Sequence, residues 1–136
     1  MKNNPIHHHK RRAAVSVEVA LCLPILFLFT FFAFEFSRVT FLRRAMDEAA
    51  YTAAREIKVP GATVAEAIAK VDEILNTVGA NSYSVTVTPT TITDNTEYVT
   101  VSITAAIQDN IVLTSQFFKG RSLTASAKLK TERFRN

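Results

Sequence analysis

The sequence predicts an α+β fold: a long N-terminal transmembrane and amphipathic helix, a second helix, then a three- to four-stranded antiparallel sheet. Three observations predict it. Val19–Phe34 is apolar and free of charge. The next stretch carries apolar residues at three- and four-residue steps, the helical period. After Asn81 the composition turns to Thr, Val, Ser and Ile with two-residue alternation, the strand period.

The apolar run widens to Ala13–Phe36 when Glu18 and Glu35 are accepted near its ends. Twenty-four helical residues reach about 36 Å, enough for a hydrocarbon core of about 30 Å. Phe27, Phe29, Phe31, Phe34 and Phe36 hint at strand alternation, but a lone strand in lipid leaves its backbone groups unpaired. Helix is the expectation. Pro24 lies one or two turns inside it, a kink that membrane helices tolerate. No small-residue A-x-A site follows the run, so removal of the whole segment as a secretory signal is not expected. Lys10, Arg11 and Arg12 before it favour a cytoplasmic N-terminus, although Arg38, Arg43 and Arg44 reduce the charge asymmetry.

Beyond the lipid, Val39, Leu42, Met46, Ala49, Ala53 and Ile57 continue one helical face. One helix is expected from about Ala14 to Lys58, stopped by Pro60-Gly61. Its alanines admit close approach of another element. Arg43–Asp47 and Arg44–Glu48 are spaced for ion pairs on its outer side. Glu35 and Arg38, three apart, read as an interfacial pair at the helix exit. A second helix is expected over Val64–Val78, with Thr63 and Glu66 as a capping box and Gly79 as its stop.

Tyr83–Thr88 and Glu97–Ile107 alternate, and Asp94-Asn95 between them supplies turn chemistry, so a hairpin is expected. Ser122–Thr131 alternates Leu123, Ala125, Ala127 and Leu129 with Thr and Lys, predicting a third strand. Ile111–Phe118 reads either as a short strand or as a loop flap.

Charge and composition exclude several functions. The net charge is +4, and Lys2, Lys10, Arg11 and Arg12 account for all of it, leaving twelve charges of each sign from Ala13 onward. A nucleic-acid footprint would place its excess on a folded face among aromatics. Cys22 is the single cysteine and reads as small apolar filler. His7-His8-His9 is the sole histidine cluster and reads as a solvated tail, so no triad or metal site is available after His9. Gly occurs only at 61, 79 and 120, too sparse for a phosphate loop. Neither an enzyme nor a cofactor is expected.

Glu18 is the informative residue. A carboxylate inside lipid costs on the order of 3 kcal/mol at the bilayer centre and less near the interface. Two readings stand: it greets a positive partner, or it reaches the headgroups from an uncleaved anchor. The basic leader, the small junction Ala13-Ala14 and Glu18 five residues into the helix resemble the class III signal of type IV prepilins. More widely, AAVSVEVALCLPILFLFTFFAFEFSRV followed by an Ala-rich helix and a closing LTASAKLKTER strand resembles a TadE-like pseudopilin of tight-adherence (Flp, type IVc) pili. The specific match is the V-E-x-A-L-x-L-P order and the later E-F-x-R. Ala13 stands where Gly is common, and Val19 where an aromatic is common.

The resemblance implies a pilin-like fold and a basic leader at 1–13 read by a prepilin peptidase through Lys10, Arg11 and Arg12. Cleavage between Ala13 and Ala14 would put Glu18 at mature position five. It implies a transmembrane helix at 14–36, a soluble half at 37–59, and a periplasmic or extracellular α+β domain at 60–136. Glu18 and Pro24 would serve subunit assembly in the bacterial cytoplasmic membrane. Implied partners are the major Flp-type pilin, other pseudopilins, the inner-membrane assembly platform and membrane lipid. The alternative is an uncleaved, single-pass, membrane-tethered binding or adaptor domain of the envelope.

Overall fold

Between Ile6 and Ile57 the chain has no glycine and one proline, and a single helix, α1 (Ile6–Ile57), occupies the whole span. The computed structural model describes residues 6–93 and 95–132, with side chains from Ala13 onward. The remaining elements are α2 (Val64–Thr77), β1 (Tyr83–Thr88), β2 (Tyr98–Ala106), a 3-10 turn at Ser115–Phe118, and β3 (Ser122–Lys130). The chain divides into two compact units, one ending at Phe34 and the other beginning at Glu35. The fold is α+β, as expected.

The first unit contains the apolar part of α1. Its side chains from Ala13 to Phe34 are exposed. By length and composition, α1 is one helix able to cross a membrane. It begins eight residues before the expected Ala14, because no Gly or Pro lies between Ile6 and Ala14 to end it. Pro24 sits inside it. The Thr30 hydroxyl donates to the Leu26 carbonyl at 2.9 Å, so this polar group is satisfied within the helix.

In the second unit, α1 presents Leu42, Ala45, Met46, Ala49, Ala50, Ala53, Ala54 and Ile57 to the core. Four fully buried alanines in two turns of helix leave room for a neighbour's backbone to come close. α2 contributes Ala67, Val71 and Leu75, with Val64, Ile68, Ile74 and Val78 packed at the margin. Fully burying a Met, Ile, Leu or Val side chain contributes about 1.5–3 kcal/mol, and Met46, Ile57, Leu75, Ile103 and Val71 are among the largest so buried.

Both ends of α2 are closed by sequence-local chemistry. The Thr63 hydroxyl accepts from the Glu66 N–H at 3.3 Å, and Glu66 accepts from the Thr63 N–H at 2.9 Å, completing the expected capping box. Beyond Thr77, Gly79 takes φ +65°. Its N–H donates to the Asn76 carbonyl and that of Ala80 to Leu75, at 3.1 and 3.0 Å. That pair is the Schellman closure, which favours glycine at the left-handed position.

The sheet has order β1-β2-β3, antiparallel throughout, with Val85 opposite Ile103 and Ile103 opposite Ala125. Val87, Val99, Val101, Ile103, Ala105 and Ala125 face the core, leaving Ser, Thr and Lys residues outside. On that outer face Lys128 Nζ lies 4.6 Å from the Tyr98 ring centroid. The β1–β2 connection is closed by Thr93 and Thr96, whose backbone bond from Thr96 N–H to Thr93 O is 2.9 Å; Asp94, expected in this turn, lies outside the described residues. Among the described residues the ion pairs are Lys58–Glu132, Lys70–Glu73 and Lys130–Glu97. Neither expected pair on α1, Arg43–Asp47 or Arg44–Glu48, is among them.

Ile111–Phe118 is not a strand. It belongs to a loop whose ends meet through Ile107 N–H and the Arg121 carbonyl at 3.0 Å. The segment Ser115–Phe118 makes a 3-10 turn, with Phe117 N–H on the Thr114 carbonyl at 2.9 Å.

Candidate functional site

The leader and the start of the span form the first place of interest. Ala13, Ala14 and Glu18 are all exposed on α1. The Glu18 carboxylate has no hydrogen bond or ion pair to another described residue. Its neighbours Val15, Val17, Val19 and Leu21 are exposed and apolar, so the carboxylate stands in an apolar surface. Lys10, Arg11 and Arg12 have helical backbone, and their side chains lie outside the described residues. Pro24 falls six residues after Glu18, where its missing N–H leaves the Ala20 carbonyl without its intrahelical donor.

The second place lies at the other end of the apolar run, where Glu35 is only 7% exposed. Its Oε1 accepts from the N–H groups of Val112 and Leu113, both at 2.9 Å. Its Oε2 accepts from the Thr114 hydroxyl at 2.9 Å. A buried carboxylate is costly unless its oxygens are hydrogen-bonded, and here three donors converge on it. One turn on, Arg38 Nε donates to the Asn110 carbonyl at 2.7 Å. Glu35 and Arg38 therefore reach into the loop rather than toward each other, which corrects the interfacial pair expected from their spacing. Spacing along a helix reports only local partners, and these lie more than 70 positions away.

Asn110 is the hub of the same cluster and is 4% exposed. Its Oδ1 accepts from the Asn81 N–H at 2.8 Å. Its Nδ2 donates to the carbonyls of Asn81 at 2.8 Å and Ala106 at 2.7 Å. The Asn110 carboxamide thus joins the start of β1 to the end of β2, and the main-chain carbonyl of the same residue meets α1. Nothing in the local sequence around QDNIVLTSQFF marked Asn110. A lone Asn between strands reads as turn chemistry, and its burial is a tertiary property.

A shallow groove on α1 and α2 is lined by Phe41, Arg44, Ala45, Glu48, Glu73, Ile74, Thr77 and Val78. No group of three or more His, Cys, Asp or Glu able to hold a metal ion occurs among the described residues. The geometry thus offers an apolar helix with a carboxylate near its start and a hydrogen-bonded clamp at its end. These are means of anchoring and packing.

No curated protein and no solved structure matches the chain. Residues 13–55, which hold the apolar run, Glu18, Pro24, Glu35 and the alanine face, match the family model described as TadE-like protein. Over this segment the chain is similar to the TadE-like family, a family associated with tight-adherence pili, which is the family its motifs resemble.

Proposed function

We propose that the protein is a pseudopilin: a minor, pilin-like assembly component of a Flp-type pilus, cut by a prepilin peptidase and packed through its apolar helix. The observation that carries the reading is Glu18, exposed among apolar side chains and without a partner among the described residues, inside a segment that matches the TadE-like family. Cleavage between Ala13 and Ala14 creates an α-amine. Such an amine titrates near pH 8 and is largely cationic at neutral pH. Paired with the Glu18 carboxylate of a neighbouring subunit in low dielectric, it relieves two charges that are each expensive alone.

In this reading the leader with Lys10, Arg11 and Arg12 faces the cytoplasm, residues 14–36 cross the membrane, and the α+β domain lies outside. The partners are the prepilin peptidase, the major pilin, sister pseudopilins and the inner-membrane platform. Glu18→Ala tests it. In cells carrying the pilus system, the variant should still insert and fold but be lost from sheared pilus or assembly-complex fractions. Assembly of the variant at the wild-type level would favour a tethered envelope domain instead.

A further inference from the structure

The clamp at Glu35 has a second consequence, on the other side of the loop it holds. Ile111 and Thr114 are turned inward and buried, whereas Val112, Leu113 and Phe117 are 75%, 58% and 81% exposed. Single exposed apolar residues are ordinary on a protein surface. Three within six positions, on one loop tied at its base, form a patch. We propose that this loop is a lipid-docking surface: Val112, Leu113 and Phe117 enter the headgroup–acyl boundary of the bilayer that the chain's own helix crosses, while Lys119 and Arg121 meet anionic headgroups.

The attachment point of the loop favours lipid. The amides of Val112 and Leu113 donate directly to the carboxylate of Glu35 at 2.9 Å. Glu35 is bonded to Phe34, the last residue of the charge-free run. A glutamate side chain reaches about one helical turn, ~5.4 Å, so the loop is tied within that reach of the residue that follows the run in sequence, and a run that spans the bilayer meets the headgroup–acyl boundary at its ends. Apolar groups of interfacial elements bury about 5–10 Å into this boundary.

Charge points the same way. From Asn110 to Arg121 the ionisable residues are Lys119 and Arg121, both basic and exposed. Asp109 is exposed at the opposite end of the loop, and Arg38 adds a third cation at its base. A basic rim around apolar tips suits an anionic membrane surface. A second copy in a two-fold contact would bring the same cations face to face. The proposal rests on the membrane-anchored part of the reading above and is independent of any pilus role.

The chain contains no tryptophan, which makes a single-reporter experiment direct. Phe117→Trp in the full chain is reconstituted into phosphatidylethanolamine–phosphatidylglycerol vesicles with brominated acyl chains, beside Phe29→Trp as a reporter of the span. The expected result is blue-shifted emission and bromine quenching for both, with the Phe117→Trp quenching reduced when phosphatidylcholine replaces the anionic lipid. Unquenched, water-like emission at 117 with quenching at 29 overturns the docking loop and leaves the anchor standing. A blue shift at 117 without quenching overturns it in favour of a protein occupant. No quenching at either position removes the anchor and the loop together. Quenching at 117 that is indifferent to lipid charge overturns the part given to Lys119 and Arg121.

Discussion

The Glu35 carboxylate accepts the Thr114 hydroxyl at 2.9 Å across 79 positions of sequence. The start of the second unit at Glu35 and the loop after β2 are thereby one hydrogen-bonded piece. Glu35→Ala leaves two amides and a hydroxyl without their acceptor. Hydrogen bonds to a charged group contribute about 1.5–3 kcal/mol each and do not add fully, so a loss of about 3 kcal/mol is expected in this loop. Hydrogen exchange in detergent checks it: protection at Val112 and Leu113 should fall about a hundredfold, while β2 amides keep theirs.

Asn110 is less replaceable than its chemistry alone indicates. Its Nδ2 donates to two carbonyls, so Asn110→Asp places a carboxylate oxygen against the Asn81 and Ala106 oxygens. The near-isosteric change should cost about 2–4 kcal/mol, more than Asn110→Ala would through packing alone. Guanidinium midpoints of the two variants measure the difference.

Tyr83 provides a pH signature. Its hydroxyl donates to Asp72 Oδ1 at 2.9 Å. Burial foremost, then the bond to the Asp72 carboxylate, raises the phenol above its ordinary value. The neutral phenol is thus favoured by folding. Its stabilisation is complete below the unfolded phenol value of about 10 and is lost as pH rises through the higher folded value. Wild type should exceed Tyr83→Phe by about 1 kcal/mol at neutral pH, with the gap closing in strongly alkaline solution. Chemical melts of both proteins across that range check the sign.

What could be read in advance follows the range of the forces involved. α2 with its Thr63–Glu66 box, and the three strands, appear within a residue or two of their expected ends. Each was announced by neighbours along the chain: an alternation, a cap, or a glycine. Ile111–Phe118 gave no periodicity, because its path is set by a carboxylate and a carboxamide instead of by alternating burial. The departure of Glu35 from Arg38 has the same origin. Helical spacing puts them near one another, and only the folded loop after β2 supplies the amides that outcompete a half-solvated ion pair. Glu18 is different. Its oddness is visible in the sequence as a charge in an apolar run, and in the pseudopilin reading proposed above its partner belongs to a processed or assembled state.

The N-terminus of the protein in its native membrane is therefore the most direct test of the pseudopilin reading. Intact-mass measurement from cells with an active prepilin peptidase should give a chain beginning at Ala14, with Glu18 four residues along from a free amine. A chain that retains Met1–Ala13 in those cells would contradict it, since the carboxylate would then have no new cation to meet.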